Sequence, residues 1–172
     1  MGRPQRAPSR RWPKPLADSG AILAIDLGSV RVGVAACDPS RILAYPVATL
    51  PMSEDLPQRV AALMEEHRAV ALVVGYPLAL DGRAGIAAGN VERQARLLAA
   101  GIEQPVWLVD ERLTTAEAGR RLRASGRSAK AARGVIDAQA AVGILESVLR
   151  ALDRGATIGR RLEMEEAHGE TR

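Results

Sequence analysis

Three acidic positions in this chain are expensive to place in a folded protein, and their cost points to chemistry. Asp26 ends the apolar run Ala21-Ile22-Leu23-Ala24-Ile25 and is followed by Leu27-Gly28. Asp110 and Glu111 stand side by side after Pro105-Val106-Trp107-Leu108-Val109. Asp137 heads the helically spaced apolar series Ala141, Ile144, Leu145, Val148 and Leu152, so it shares their face. Charge in apolar surroundings is costly unless it is paired or holds a cation. Each acid alone has an ordinary explanation: a turn for Asp26, a helix N-terminus for Asp137, an ion pair with Arg112 for the adjacent two. Together, three carboxylates at the ends of central elements are the oxygen ligands that Mg²⁺ or Mn²⁺ takes. Strand neighbours face opposite sides, so only one of Asp110 and Glu111 can reach a shared site. Glu111 has the longer arm and is preferred; Asp110 stays open.

Other chemistries lack material. His67 and His168 are the only histidines, one on a helix and one in a polar tail, which leaves zinc sites and Ser-His-acid triads nothing to build on. Cys37 has no evident partner base and reads as core; as the only cysteine it permits no intrachain disulfide, in keeping with a cytoplasmic protein. Charge, by contrast, is concentrated beside the acids. Arg112, Arg120, Arg121, Arg123, Arg127, Lys130 and Arg133 face only Glu117, a +6 stretch joining the second acid to the third. A cationic loop bordering an acidic metal site suits a polyanionic substrate, namely nucleic acid.

The elements that must position these residues follow from periodicity. Residues 21–27, 32–37 and 42–50 read as three strands joined by short turns, an antiparallel meander. Ser53 is placed to cap a helix from Leu56 to His67, since Leu56, Val60, Leu63 and Met64 share one face. Val70–Gly75 reads as a buried strand, Ala84–Ala100 as a helix, and Pro105–Val109 as a fifth strand. Thr114-x-x-Glu117 has capping-box spacing and opens a short helix to about Leu122. Residues 123–134 read as a loop, and the last helix runs from Gly134 to Leu152, with Gly155 as its stop. The order β-β-β-α-β-α-β-α predicts an α/β fold, a mixed five-stranded sheet with helices on both faces.

The totals fit one domain. The chain has 172 residues, 47% of them hydrophobic, and no Phe, so its core rests on Ala, Leu, Val and Ile. No apolar run is long enough to span a bilayer. The net charge of +4 is mostly that of residues 1–19, where Arg3, Arg6, Arg10, Arg11 and Lys14 face Asp18 among four prolines. That composition predicts a disordered basic arm over 1–19, a folded domain over 20–155 and a flexible charged tail over 156–172.

Four ordered motifs carry a resemblance. They are Ala24-Ile25-Asp26-Leu27-Gly28-Ser29, then Val73-Val74-Gly75-Tyr76-Pro77-Leu78 with Asp81-Gly82, then Asp110-Glu111-Arg112-Leu113-Thr114-Thr115-x-Glu117-Ala118, and Asp137-x-x-Ala140-Ala141-x-x-Ile144-Leu145-Glu146. Over residues 20–152 the chain resembles the YqgF/RuvX family, Holliday-junction-resolvase-like nucleases of the ribonuclease H-like superfamily. The resemblance implies a ribonuclease H-like fold and a divalent-metal nuclease in the bacterial cytoplasm. It also implies a role in trimming the 5′ end of precursor 16S rRNA, with ribosomal precursor particles as partners, or in resolving Holliday junctions. By position it assigns Asp26, Glu111 and Asp137 to the catalytic, metal-holding set, with Asp110 and Asp81 as further candidates. Many nucleases of that superfamily carry an acid at the end of the fourth strand, where this chain has Gly75-Tyr76-Pro77. Two rivals share these residues: a non-catalytic nucleic-acid-binding factor on the same fold, and a sugar-kinase-like ATPase. The latter uses an Asp-Leu-Gly-Ser phosphate loop but needs two related lobes, and this chain shows no internal repeat.

Overall fold

The computed structural model describes residues 16–17, 19–78, 82–110 and 130–163, with the backbone alone for 130–135. The expected meander is present. Strands β1 (Ile22–Leu27), β2 (Arg31–Cys37) and β3 (Ala44–Pro51) pair antiparallel, and helix α1 (Leu56–Glu66) follows. Strand β4 (Ala71–Tyr76) returns parallel to β1, helix α2 (Ile86–Ala99) crosses over, and β5 (Val106–Asp110) lies parallel to β4. Helix α3 (Lys130–Asp153) and strand β6 (Arg160–Arg161) complete the described elements, in the sheet order β3-β2-β1-β4-β5-β6.

Strands β1 and β4 sit inside the sheet and are covered on both sides, which is why their sequences are apolar without alternation. The parity of each strand divides the core in two. Ile22, Ala24, Ala35, Val73 and Val109 pack with α3, whereas Leu23, Ile25, Val34, Val74 and Leu108 pack with α1 and α2. Helices therefore cover both faces, as expected.

Three expectations are corrected. The sheet has six strands, not five, because β6 comes from the segment read as tail. Its charged composition hides two anchors: Ile158 packs into the α3-side core and Leu162 into the other, and Gly159 (φ +151°) brings the chain too close to the Leu108 carbonyl for any side chain. Second, α3 starts at Lys130, inside the stretch read as a loop, and its length is about 36 Å at 1.5 Å per residue. Third, Ser53 does not cap α1. Its hydroxyl donates to the Asp55 carboxylate at 2.5 Å, and Asp55 is the capping position, without a capping side-chain bond. Residues 1–15 and 18 of the arm read over 1–19, the helix expected from Thr114 to Leu122 and the last residues, 164–172, lie outside the described residues. Leu16 and Ala17 fall inside the stretch read as a disordered arm, yet Leu16 is buried in the α3-side core and the Arg41 guanidinium holds the carbonyls of Ala17 and Gly20, so order begins before residue 20. Among the described residues no helix is long and apolar enough to cross a membrane.

Candidate active site

Asp26 is the fifth residue of β1, on the same side as Ile22 and Ala24, which face α3. Its partner across the β1–β2 ladder is Gly33, which faces the same side because paired residues do. Over Gly33 passes α3: a Cβ built on Gly33 would overlap the carbonyl of Asp137 and come within 3.0 Å of the Ala138 nitrogen. A glycine inside a strand marks such an approach. Ala138, Ala140 and Ala141, small and buried, let the helix lie this low. Asp26 and Asp137 are thus brought to one point of the sheet, and they are the buried charged residues of the described chain, at 4% and 6% exposure.

Asp137 is the eighth residue of α3, two turns from its start, so the attraction of a helix N-terminus for carboxylates does not account for it. Arg31 does partner it. The Arg31 Nε–H donates to Asp137 Oδ2 at 2.7 Å, a charge-assisted bond between the first residue of β2 and the buried face of α3. The hairpin that positions Arg31 closes through Gly28, whose N–H donates to the Arg31 carbonyl at 2.9 Å. A Cβ on Gly28 would stand 2.5 Å from that oxygen, so the glycine after Asp26 is a steric requirement. Reading by sequence missed Arg31 and Gly33. The available signals were a cation opening an otherwise apolar strand and a glycine at the same parity two residues later.

The other candidates divide. Asp110 is half-buried and level with Tyr76, on the parity of Leu108, which faces α1 and α2 and not Asp26. Glu111, Asp81, Arg112, Arg120, Arg121, Arg123 and Arg127 lie outside the described residues. Lys130 and Arg133 fall on the first turns of α3, where only the backbone is described. Among the described residues no group of three or more His, Cys, Asp or Glu stands together as metal donors. Cys37 is core, as expected: burial pushes its thiol pKa up, and its sulfur accepts from the Ile22 N–H at 3.3 Å. His67 ends α1 beside Tyr45 (3.4 Å), away from the acids.

On the α2 side, sequence reading also missed an ion cluster. Glu92 accepts from Arg96 at 3.0 Å and Arg160 at 2.9 Å, with the Tyr76 hydroxyl at 3.4 Å and the Arg160 guanidinium 5.9 Å over the Tyr76 ring. This cluster ties β6 to the end of β4.

A family model described as RuvX, Holliday junction resolvase, matches residues 20–151, from before β1 into the last turn of α3. The chain belongs to the RuvX family. A Streptomyces coelicolor protein named "Putative pre-16S rRNA nuclease" is 48% identical over 134 residues, spanning 76% of this chain and 80% of its own length. A Cutibacterium acnes protein of the same name is 45% identical over 137 residues, spanning 79% and 86%. Among solved structures, Thermus thermophilus RuvC in complex with a Holliday junction substrate aligns with a TM-score of 0.55 over 83% of this chain and 99% of its own, at 15% identity. At that identity the likeness is one of fold, and this RuvX chain has the ribonuclease H-like fold expected of it.

Proposed function

We propose that the chain is a divalent-metal-dependent nuclease that hydrolyses phosphodiester bonds in the 5′-end processing of precursor 16S rRNA, acting in the cytoplasm on ribosomal precursors. The observation that carries the reading is the burial of Asp26 and Asp137 on one face of the sheet, met across Gly33, in a chain whose relatives bear that activity in their names.

The donor chemistry fits a hard cation. Carboxylate oxygens suit Mg²⁺ or Mn²⁺, and burial restricts both side chains to few orientations. Glu111 is proposed as the third ligand, with Asp81 as a lesser candidate. Asp110 lies on the face opposite Asp26, which leaves its neighbour Glu111 as the proposed ligand. When bound, the metal supplies Lewis acidity at a phosphate oxygen and lowers the pKa of an attacking water. The chain's own residues do the rest. Asp26 is held in a strand paired on both sides, Asp137 is held by α3 and Arg31, and the apolar floor beneath them limits access of bulk water. Arg112, Arg120, Arg121, Arg123, Arg127, Lys130 and Arg133 are proposed to grip the phosphate backbone.

The family description favours a second substrate, the four-way DNA junction. Purified protein incubated with a 5′-extended precursor rRNA and with a branched DNA, in Mn²⁺ and in EDTA, separates the readings by mapping of ends. Cleavage of the RNA in Mn²⁺ alone is expected. Cleavage confined to the junction assigns a resolvase. Equal binding in EDTA without any cleavage in Mn²⁺ sinks the catalytic reading and leaves a nucleic-acid-binding factor.

A further inference from the structure

Asp137 is paired before any metal arrives. Its side chain is 9% exposed and is held at 2.7 Å by an Arg31 side chain that keeps 36% exposure. Leaving a buried carboxylate uncompensated is costly, and the Arg31 guanidinium supplies the compensating charge through a charge-assisted bond. A divalent cation taking the same carboxylate would meet that positive charge within a few ångström.

We propose that Arg31 is the site's resident counter-ion: it competes with the divalent cation for Asp137 and, once displaced, offers its guanidinium to the substrate phosphate. The inference rests on the metal-nuclease reading above. The Arg31 backbone is pinned by the β2–β3 ladder, where it lies opposite Pro51, and by the Gly28–Arg31 bond, so displacement moves only the side chain, and its head stays at the same edge of the sheet. The recorded bond uses Nε; the two Nη groups carry four more N–H donors in the planar fork that matches a phosphate. Arg31 is then a positioning residue in the metal-free state and a substrate ligand in the loaded one.

Mn²⁺ binding to the full chain without nucleic acid, read from the free-ion paramagnetic resonance signal, tests this. Arg31→Gln is expected to bind Mn²⁺ about five- to tenfold tighter than the unaltered chain, as removal of a nearby like charge requires. Arg31→Lys should stay within about twofold, and Asp137→Asn should bind most weakly. In saturating Mn²⁺, Arg31→Gln should raise KM for the RNA about tenfold with a smaller effect on kcat, and Arg31→Lys should recover much of the loss. Unchanged or weaker Mn²⁺ binding in Arg31→Gln, beside clear binding that depends on Asp137, overturns the counter-ion proposal and leaves the nuclease reading standing. No Mn²⁺ binding by the unaltered chain overturns both. If Arg31→Gln does not fold, Arg31→Met keeps the aliphatic stem and carries the same expectation.

Discussion

Gly33 and Asp137 are in backbone contact: the carbonyl of Asp137 occupies the space in which any side chain on Gly33 would begin. Asp26 is paired with that same glycine across the sheet, so one missing side chain sets how closely a helix acid approaches a strand acid.

Gly33→Ala therefore forces α3 off the sheet. We expect a loss of about 2–3 kcal/mol and a collapse of activity. Gly89→Ala is the control. Gly89 lies inside α2 with open space where its Cβ would be, and alanine there should stabilise by about 0.5–1 kcal/mol. Urea unfolding of both variants checks the pair, and equal stabilities would mean that the helix does not rest on Gly33.

Asp26→Asn keeps the shape of the side chain and removes its charge. Cleavage in Mn²⁺ should fall about a hundredfold or more, with the far-ultraviolet circular dichroism of the folded chain retained. Turnover at the unaltered rate would remove Asp26 from the site.

Acid should weaken the fold through Glu92 and Asp38. Burial pushes Glu92 upward, but the Arg96 and Arg160 guanidiniums prevail and hold its pKa below the usual value. Asp38 is lowered by accepting the Leu43 N–H, with those of Ile42 and Ser40 adding to it. A carboxylate with a folded pKa below its unfolded one contributes stability that is complete above the unfolded value, near 4, and vanishes as pH falls through the folded value. Melting curves from pH 6 to pH 3 should show this decline, and Glu92→Gln should make it shallower. Parallel curves for the two proteins would contradict the assignment.

Leu162 tests the last strand. It is 4% exposed, so Leu162→Ala should cost about 2–4 kcal/mol, whereas Leu97→Ala, at 53% exposure, should stay within about 0.5 kcal/mol. Chemical denaturation distinguishes the two. A neutral Leu162→Ala would return residues 156–163 to the status of a tail.

Much of this was legible from the chain alone. Apolar runs closed by turn residues locate β1, β2, β4 and β5, because a strand buried on both faces needs no polar alternation. The acids Asp26 and Asp137 stood out because a charge amid apolar neighbours has a cost that local sequence already reveals. Strand parity said that only one of Asp110 and Glu111 can reach a shared site, and arm length alone favoured Glu111; that Asp110 lies on the face away from Asp26 came from the register. Local composition could not reveal β6, since two arginines form a strand only because Ile158 and Leu162 anchor the segment on either side of the sheet edge. Nor could it reveal the pairing of Arg31 with Asp137, 106 positions apart. Such a contact depends on how low α3 lies over β2, a distance set by packing between elements and written in no single stretch of sequence.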